Sequence, residues 1–266
     1  MIHFTGRAIL LDIEGTTSSI QYVYHVLFPY FRKELDDFLQ SKWTTPEVMK
    51  ACEWVAHDAG APSFADWCGN DPSSSQTKTK LRDEVLQLMD RDIKATGLKE
   101  LQGLVWEQGF HSGALLSHVF ADVPSALERW TQAGIEINVY SSGSVNAQKL
   151  FFAHTEPIEN NDRRPEKNKT ASQQQPCSLL HFFRGYYDTT TGPKKDPDSY
   201  RKIASDIGAA PKEVLFLSDV IGELDAAQSA DLATGLVVRP GNPPVNSGHA
   251  HPIITTFDQV VIEHRT

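Results

Sequence analysis

The fold is decided by the stretch Ala8-Ile9-Leu10-Leu11-Asp12-Ile13-Glu14-Gly15-Thr16-Thr17, in which a short apolar run ends in two carboxylates, a glycine and two hydroxyls. Because side chains alternate along an extended strand, we expect Asp12 and Glu14 to project to the same side at its carboxyl end. In open α/β sheets, ligands bind at this end of the strands. Two like charges held close together need a cation or a proton between them, so the stretch predicts a metal-assisted carboxylate site. Read alone, it also fits an exposed acidic turn.

The overall composition limits the classes of partner. At 266 residues the chain is long enough for one large domain or two smaller ones. Its formal net charge is −9, with 34 acidic and 25 basic residues, which argues against binding to nucleic acid or to an anionic membrane surface. No apolar run approaches the roughly 20 residues that span a bilayer. We therefore expect no nucleic-acid partner and no membrane partner.

The start of the chain and its cysteines favour a reducing compartment. Residues 1–7 lack the charged and apolar segments of a signal peptide. Cys52, Cys68 and Cys177 are far apart and form no CxxC pair, which disfavours a disulfide framework or a zinc site. A metal cluster of Cys52, His57 and Cys68 is an alternative that we do not favour. These features predict a cytoplasmic protein, which a eukaryotic cell could also hold in its nucleus.

The pattern of apolar residues divides the chain into a helical segment and an α/β segment. Between residues 18 and 118, apolar residues recur with helical spacing, prolines and glycines separate the helices, and no strand pattern is present. From Asp122, a candidate N-cap, strands and helices alternate. The predicted strands are 135–140, 183–187, 214–217 and 234–238, and the predicted helices are 124–133, 145–153, 197–207 and 222–230.

This alternation predicts an α/β fold with a Rossmann-like parallel-sheet core that is covered by helices on both faces. Because the first strand belongs to the same sheet, we assign the core to residues 1–17 and 119–266, with the helical cap, 18–118, inserted into it. Residues 155–178 are polar and without period. We expect them to form a variable, disordered insertion within the core.

Three further groups of polar residues fall where a site at the sheet end would need them. Ser141 and Ser142 end a strand and begin a helix, so their hydroxyls and the backbone N–H groups could hold a phosphate. Lys194 is a cation in a turn before a helix. Asp219 ends a strand, and Glu223 lies one helical turn further on. Each group has an ordinary alternative, an N-cap or a solvated turn lysine, but their order along the chain indicates one site.

That order resembles the four motifs of the haloacid-dehalogenase superfamily of phosphatases. The motifs are an aspartate nucleophile with a second acid two residues later, a Ser or Thr at a strand end, a lysine before a helix, and an acidic strand end that holds magnesium. The matching residues are Asp12, Ser141, Lys194 and Asp219. Lys194 and Lys195 are adjacent candidates for the third motif, and the spacing to Pro197 and Tyr200 favours Lys194.

The resemblance is closer to one branch, the enolase-phosphatases of methionine salvage, whose first motif reads as residues 12–17 do. Further segments typical of that branch are 27–30, 101–103, 120–123, 140–145, 147–150, 199–204 and 238–242. The resemblance extends from the first strand to the last, except for 155–178 and parts of the helical segment. It implies a core of the haloacid-dehalogenase type whose helical cap covers the site and recognises the substrate.

The resemblance also implies a mechanism and a metal. Asp12 would attack phosphorus to form an aspartyl-phosphate that water hydrolyses, and Glu14 would protonate the leaving oxygen and then activate the water. One Mg²⁺ per subunit would be held by Asp12, by the Glu14 position through its backbone carbonyl, and by Asp219, with Glu223 as a carboxylate behind them.

The same resemblance implies which residues bind the phosphoryl oxygens and what the substrate is. Ser141, Ser142 and Lys194 would hold the phosphoryl oxygens. The implied substrate is 2,3-diketo-5-methylthiopentyl-1-phosphate, which is enolised and then dephosphorylated to the acireductone, and we expect a monomeric enzyme. Another phosphate-monoester hydrolase of the superfamily is the alternative. A receiver-like signalling module would need about half this length and no cap, and an inactive scaffold is disfavoured because every motif residue is present.

Overall fold

The computed structural model describes residues 1–69, 71–157, 176–246 and 248–263. The chain forms two compact units, one from Met1–Val23 and Leu116–Thr266, the other from Tyr24–Leu115. The second unit is shorter at both ends than the cap expected from the sequence, 18–118. One reason is that Tyr22 is buried in the first unit, where its hydroxyl donates to the Leu116 carbonyl at 2.8 Å and its ring meets that of Phe151 edge-on.

The first unit is built on parallel β-sheet. Its strands are β1 (Ile2–Phe4), β2 (Ala8–Leu11), β3 (Glu136–Tyr140), β4 (Phe183–Tyr187), β5 (Val214–Ser218), β6 (Ala233–Val237), β7 (Ile253–Ile254) and β8 (Val260–Ile262). Six of them form a parallel sheet in the order β4-β3-β2-β5-β6-β7, and β1 pairs in parallel with β8. The strand order therefore reverses between β2 and β5, which is the position where open α/β sheets bind ligands.

The α-helices of the described residues, in chain order, are α1 (Ile20–Tyr22), α2 (Phe28–Lys42), α3 (Pro46–Asp58), α4 (Phe64–Cys68), α5 (Ser75–Asp90), α6 (Thr96–Ser112), α7 (Asp122–Gln132), α8 (Val145–Ala153), α9 (Pro197–Ile207) and α10 (Ile221–Ser229). A π-helical turn, Val23–Leu27, connects α1 to α2. Helices α7 to α10 follow or precede strands of the sheet, so the predicted α/β alternation is confirmed.

Burial on both faces explains why the central strands are apolar throughout. All four residues of β2 have no solvent exposure, and β5 is buried along its whole length. The predicted strands 183–187 and 214–217 agree with β4 and β5, the latter one residue longer, and the predicted helices 145–153 and 197–207 match α8 and α9. The sequence analysis did not predict β1, β7 or β8, which are only two or three residues long.

One expected helix cap was wrong. Ala121, rather than Asp122, is the N-cap of α7, and Asp122 is the first helical residue. Its carboxylate does not cap the helix; instead it accepts hydrogen bonds from the Arg239 guanidinium at 2.9 Å and from the Phe257 backbone N–H at 2.6 Å. The acidic residue thus links the start of α7 to two segments near the end of the chain.

The second unit is helical, as the spacing of its apolar residues predicted. It contains α2 to α6, and no strand occurs among its described residues. Its buried core includes Phe31, Leu35, Val55, Leu81 and Leu101. In the part of the chain that the structure describes, no helix combines the length and the apolar character needed to cross a membrane.

The two ends of the polar segment 155–178 are paired with other residues of the first unit, whereas the sequence analysis expected a disordered insertion throughout. Thr155 has no solvent exposure and exchanges backbone hydrogen bonds with Cys177, at 3.0 and 2.9 Å. The Glu156 N–H donates to the Ser117 carbonyl at 2.9 Å. The rest of the expected insertion, 158–175, lies outside the described residues.

Candidate active site

Asp12 lies at the carboxyl end of the central strand β2, beside the reversal in strand order. Its N–H extends the sheet ladder by one residue, donating to the Leu217 carbonyl at 3.0 Å. The side chain is buried, and its Oδ1 accepts the Ile13 N–H at 2.8 Å. The sheet therefore fixes both the backbone and the carboxylate of Asp12 before any ligand binds.

Lys194 provides the positive charge of the site. Its Nζ lies 2.8 Å from Asp12 Oδ1 and 2.6 Å from Glu223 Oε2, and its side chain is only 10% exposed. Lys195 is exposed. Of the two adjacent lysines, the structure therefore brings Lys194 to Asp12, as the spacing to Pro197 favoured.

The turn that carries Lys194 is held by hydroxyl groups. The Tyr200 hydroxyl donates to the Lys194 carbonyl at 2.6 Å, and the Ser199 hydroxyl donates to the Pro193 carbonyl at 2.8 Å. The Tyr140 hydroxyl donates to the carbonyl of Gly192 at 2.8 Å. Because three successive carbonyls of the turn are bound from buried tyrosines and a buried serine, the lysine is directed inward rather than into solvent.

Lys194 remains charged in this environment. Burial alone would lower the pKa of its ammonium group, but the carboxylates of Asp12 and Glu223 outweigh burial and raise that pKa above its ordinary value. A protonated lysine in contact with the Asp12 carboxylate is a group that could also bind the oxygens of an incoming phosphate.

Asp219 follows β5 and faces the loop after Asp12. Burial and the charge of Asp12 raise the pKa of the Asp219 carboxyl to about 7. Gly15 has φ = +74°, and a Cβ added there would lie 2.2 Å from Asp219 Oδ2. Glycine at this position therefore permits both the left-handed turn and the close approach of the loop to Asp219.

Ser218 connects two of the acidic groups and was not singled out as a site residue. Its Oγ lies 3.1 Å from Glu223 Oε2 and 3.4 Å from Asp12 Oδ2, and it accepts the Val220 N–H at 3.1 Å. Burial, and then the charge of Asp12, raise the pKa of the Glu223 carboxyl. A hydroxyl at the end of a buried strand, next to Asp219, was the signal that could have identified Ser218.

The expected reason for pairing Asp12 with Glu14 was wrong. Strand β2 ends at Leu11, so the alternation of an extended strand does not govern either residue. Asp12 is buried and Glu14 is exposed. A compact loop places them, in which the Gly15 N–H donates to the Ser18 carbonyl at 2.8 Å.

The two serines after β3 differ in their surroundings. Ser141 is buried, its N–H donates to the Tyr187 carbonyl at 3.1 Å, and its Oγ accepts the Gly143 N–H at 3.3 Å. Ser142 is exposed. The N-cap of α8 is Ser144, whose Oγ accepts the Ala147 N–H. The ordinary capping role thus belongs to Ser144, rather than to either of the two serines expected to bind phosphate.

The donor set fits a magnesium ion. The carboxyl groups of Asp12 and Glu223 contact the Lys194 ammonium, and the charge of Asp219 acts on the same groups, which leaves an excess of negative charge when all three are ionised. Within 1–69, 71–157, 176–246 and 248–263, no three His, Cys, Asp or Glu side chains form a metal-binding group by themselves, and Cys52, His57 and Cys68 form none. Mg²⁺ is commonly held by one or two carboxylates together with waters and substrate oxygens, so the pair Asp12 and Asp219 suits it.

Comparison with known proteins agrees with this arrangement of motifs. The family model described as haloacid dehalogenase-like hydrolase matches residues 7–231. The chain is 42% identical over 235 residues to the enolase-phosphatase E1 of Pseudomonas fluorescens, covering 88% of this chain and 90% of that protein. It is 38% identical over 239 residues to the enolase-phosphatase E1 of Drosophila melanogaster, covering 89% and 85%.

A solved structure extends the similarity to the fold. The crystal structure of the UTR4 protein from Saccharomyces cerevisiae has a TM-score of 0.73 and 34% sequence identity to this chain, covering 96% of this chain and 100% of that one. The chain therefore belongs to the haloacid dehalogenase-like hydrolases and, among them, to the enolase-phosphatases.

Proposed function

We propose that this enzyme converts 2,3-diketo-5-methylthiopentyl-1-phosphate, through its enol, to the acireductone 1,2-dihydroxy-3-keto-5-methylthiopentene and phosphate, in the salvage of L-methionine from methylthioadenosine. The observation that carries the proposal is the buried Asp12 carboxylate, 2.8 Å from the Lys194 ammonium, with Asp219 beside it at the carboxyl ends of neighbouring parallel strands. A nucleophile, a cation and a second carboxylate in this arrangement support phosphoryl transfer.

Binding of the phosphate is assigned to Lys194, Ser141 and Ser142. The Lys194 ammonium would bind the phosphoryl oxygens while remaining in contact with Asp12. The serine hydroxyls and the backbone N–H groups of the turn that leads into α8 would bind the remaining oxygens. Because charge on these oxygens is redistributed in the transition state, donors that are fixed in advance lower its free energy.

The carboxyl groups of Asp12 and Glu14 have different roles in the reaction. An Asp12 oxygen attacks phosphorus, the bond from phosphorus to the substrate oxygen breaks, and Glu14 gives its proton to that leaving oxygen. A water then attacks the phosphorus of the aspartyl-phosphate and gives a proton to the Glu14 carboxylate. Phosphate leaves, Asp12 regains its carboxylate and Glu14 its proton, so both groups are ready for another turnover.

The proposal includes one Mg²⁺ per subunit, held by Asp12, by the backbone carbonyl of Glu14 and by Asp219. Glu223 would support this set from behind, through its contacts with Lys194 and Ser218. When bound, the ion would offset phosphoryl charge and polarise a substrate carbonyl, which makes the neighbouring carbon-bound proton acidic enough for enolisation.

The unit Tyr24–Leu115 would be the cap that recognises the organic part of the substrate.

We propose that the enzyme is a cytoplasmic monomer. Light scattering of the purified chain would support the monomer if it gives a mass near 29.6 kDa, and a mass near a multiple of that value would contradict it.

The substrate is tested by incubating the full-length enzyme and Mg²⁺ with the diketo phosphate and, separately, with a panel of sugar phosphates. Phosphate release and the ultraviolet absorbance of the conjugated enediol are measured together. We expect kcat/KM for the diketo phosphate to exceed that for the sugar phosphates by about 100-fold or more, since this is the substrate that undergoes both enolisation and dephosphorylation at the proposed site. Equal rates on the sugar phosphates, without an enediol product, would favour the alternative phosphate-monoester hydrolase.

A further inference from the structure

The turn after β6 binds the backbone of the loop that follows Asp12. The Arg239 Nε donates to the Thr16 carbonyl at 2.9 Å, and the Asn242 Nδ2 donates to the Gly15 carbonyl at 2.9 Å. These are the two peptide carbonyls immediately after Glu14. Side chains more than two hundred residues away in sequence therefore hold the backbone next to the residue assigned as the general acid.

Arg239 is itself fixed on several sides. It is 5% exposed, and its Nη1 donates to Asp122 Oδ1 at 2.9 Å and to the Thr255 carbonyl at 3.0 Å. Its guanidinium carbon lies 4.5 Å from the centre of the Phe120 ring and 4.7 Å from that of Phe257. A buried cation that is hydrogen-bonded to three groups and lies over two aromatic rings has few alternative positions, so it is a rigid anchor for the Thr16 carbonyl.

The loop has internal hydrogen bonds, but these do not attach it to the rest of the protein. The N–H groups of Thr17 and Ser18 both donate to the Ile13 carbonyl at 2.9 Å, and the Gly15 N–H donates to the Ser18 carbonyl. Such bonds fix the shape of the loop but not its position. The loop is attached at its far side by the Phe120 N–H, which donates to the Thr17 carbonyl at 3.0 Å, and by the Thr17 hydroxyl, which donates to the Asp12 carbonyl at 3.3 Å. The bonds from Arg239 and Asn242 attach it at the two carbonyls next to Glu14.

Glu14 depends on this attachment more than Asp12 does. The Asp12 N–H donates to the Leu217 carbonyl at 3.0 Å, which holds Asp12 in the sheet, whereas Glu14 lies in the loop, one residue before the carbonyl that Asn242 binds. A shift of the loop would therefore move the Glu14 carboxyl and leave Asp12 in place. A proton donor must approach the leaving oxygen to within about 3 Å to act in the transition state.

We infer that Arg239 and Asn242 are positioning residues for the proton-transfer step, because they fix the position of the Glu14 backbone relative to the end of β2. The inference rests on the proposed role of Glu14. In that step the proton passes from the Glu14 carboxyl to the bridging ester oxygen while the phosphorus–oxygen bond breaks. At saturating Mg²⁺, which offsets any weaker metal binding by the Glu14 carbonyl, loss of either hydrogen bond should impair substrates that need this proton and spare those that do not.

The test compares phosphate esters of different leaving groups. An alkyl phosphate has a poor leaving group that needs a proton, whereas p-nitrophenyl phosphate releases a stable anion. Asn242→Ala removes one hydrogen bond to the loop and leaves the Arg239 ion pair intact. Arg239→Lys retains the charge beside Asp122 and loses the stacked guanidinium, so it is preferred to Arg239→Ala, which would leave Asp122 without its cation.

Two further variants calibrate the measurement. Glu14→Gln removes the acid itself and gives the largest selective effect that the site can show. Thr234→Val is a matched structural control, because it removes another side-chain hydrogen bond of the same unit, the one at 2.8 Å to His251. It should lower kcat/KM for both ester classes by the same factor or not at all.

We expect Asn242→Ala and Arg239→Lys to lower kcat/KM for the alkyl phosphate by about 10-fold or more and for p-nitrophenyl phosphate by about 3-fold or less. An equal loss on both esters, alongside a selective loss in Glu14→Gln, would overturn the positioning role and leave the proposed function standing. An equal loss on both esters in Glu14→Gln would overturn the assignment of Glu14 as the acid, and this inference with it.

Discussion

The Lys194 ammonium is a single positive charge in contact with two carboxylates, 2.8 Å from Asp12 and 2.6 Å from Glu223. Buried charges are stable only when paired, and removal of one member of a buried pair costs about 3–5 kcal/mol of stability. Substitution of Lys194 would therefore change stability and phosphate binding together. Variants that leave this group of charges intact distinguish the two effects more clearly.

Gly15 allows such a test. In Gly15→Ala the new methyl group would meet the Asp219 carboxylate, because the position of its Cβ is 2.2 Å from Oδ2. We expect phosphate release to fall by about 10²-fold or more, since Asp219 is moved from the metal site that we propose. The measurement is kcat/KM at saturating Mg²⁺, together with the melting temperature.

Gly208→Ala is the matched control for this prediction. Gly208 has the same φ, +74°, and an added Cβ would have no atom within 4 Å. Both variants carry the cost of a left-handed alanine, about 1–2 kcal/mol. If Gly208→Ala loses as much activity as Gly15→Ala, the loss comes from instability, and the close approach to Asp219 is not its cause.

The residues of the candidate site were predictable from the sequence to different degrees. The type and order of Asp12, Lys194 and Asp219 along the chain were sufficient to select them. The exposed position of Glu14 could not be read from strand alternation, because the strand ends before it. The hydrogen bond from the Arg239 side chain to the Thr16 carbonyl joins residues far apart in sequence, so no local pattern predicts it.

At the scale of elements, the two ends of segment 155–178 differ from its middle. Thr155 is buried and paired with Cys177, and Ser117 binds the same region. Replacement of 158–175 by a short Gly/Ser linker should keep turnover within a few-fold, because that stretch is too polar to bury much apolar surface. Replacement of all of 155–178 should lower the melting temperature as well, because the buried pairing is lost.

Activity assays and thermal unfolding of the two deletion variants check this prediction. The longer deletion serves as the control for the shorter one, since the two differ only in the paired ends. A collapse of activity in the variant that lacks only 158–175 would show that this stretch contributes to the site or to the core.

Element length and local signals decide which helices and strands can be predicted from the sequence. Helix α9 has an N-cap at Asp196, a proline as its first residue and Gly208 at its end, so its bounds were predictable. Strands β1 and β8 contain three residues each and exist because they pair with one another across 258 positions of sequence, from Ile2 to Val260. No periodicity can be recognised in so short a run.

At the scale of the whole molecule, the strand order and the charge of the site act together. The carboxyl ends of β2 and β5 adjoin at the reversal of the sheet, so Asp12 and Asp219 are brought together by topology. Burial and the charge of Asp12 oppose ionisation of Asp219 and raise its pKa to about 7. Membership of a hydrolase family makes a receiver-like signalling module untenable.

This arrangement predicts how stability depends on pH. A carboxyl whose pKa is raised from 3.8 to about 7 by folding contributes stability that is fully present below about pH 4 and is lost as the pH rises through 7. The metal-free protein should therefore lose on the order of 1–3 kcal/mol between pH 5 and 8. Asp219→Asn should reduce this loss, and Glu223, whose pKa burial and the charge of Asp12 also raise to about 7, should account for most of what remains. Chemical denaturation in EDTA across this pH range measures the effect.

Mg²⁺ should reverse the same loss, because at the site that we propose it would bind the ionised carboxylates of the folded state. An ion at 100 times its dissociation constant adds about 2.7 kcal/mol, so the stabilisation should be larger at pH 8 than at pH 5. Asp206→Asn, which changes an exposed carboxylate on α9, is the control and should retain the pH dependence. A wild-type stability that is flat between pH 5 and 8 would contradict the prediction.

The central claim, that Asp12 takes the phosphoryl group from the diketo phosphate, is tested most directly by a single-turnover experiment. Enzyme and Mg²⁺ are mixed with substrate labelled at phosphorus, quenched in acid at successive times and digested into peptides. We predict a label on the peptide that contains Asp12, appearing before free phosphate and absent in Asp12→Asn, which should release no phosphate while remaining folded. A label on another residue, or phosphate release by folded Asp12→Asn near the wild-type rate, would contradict the account.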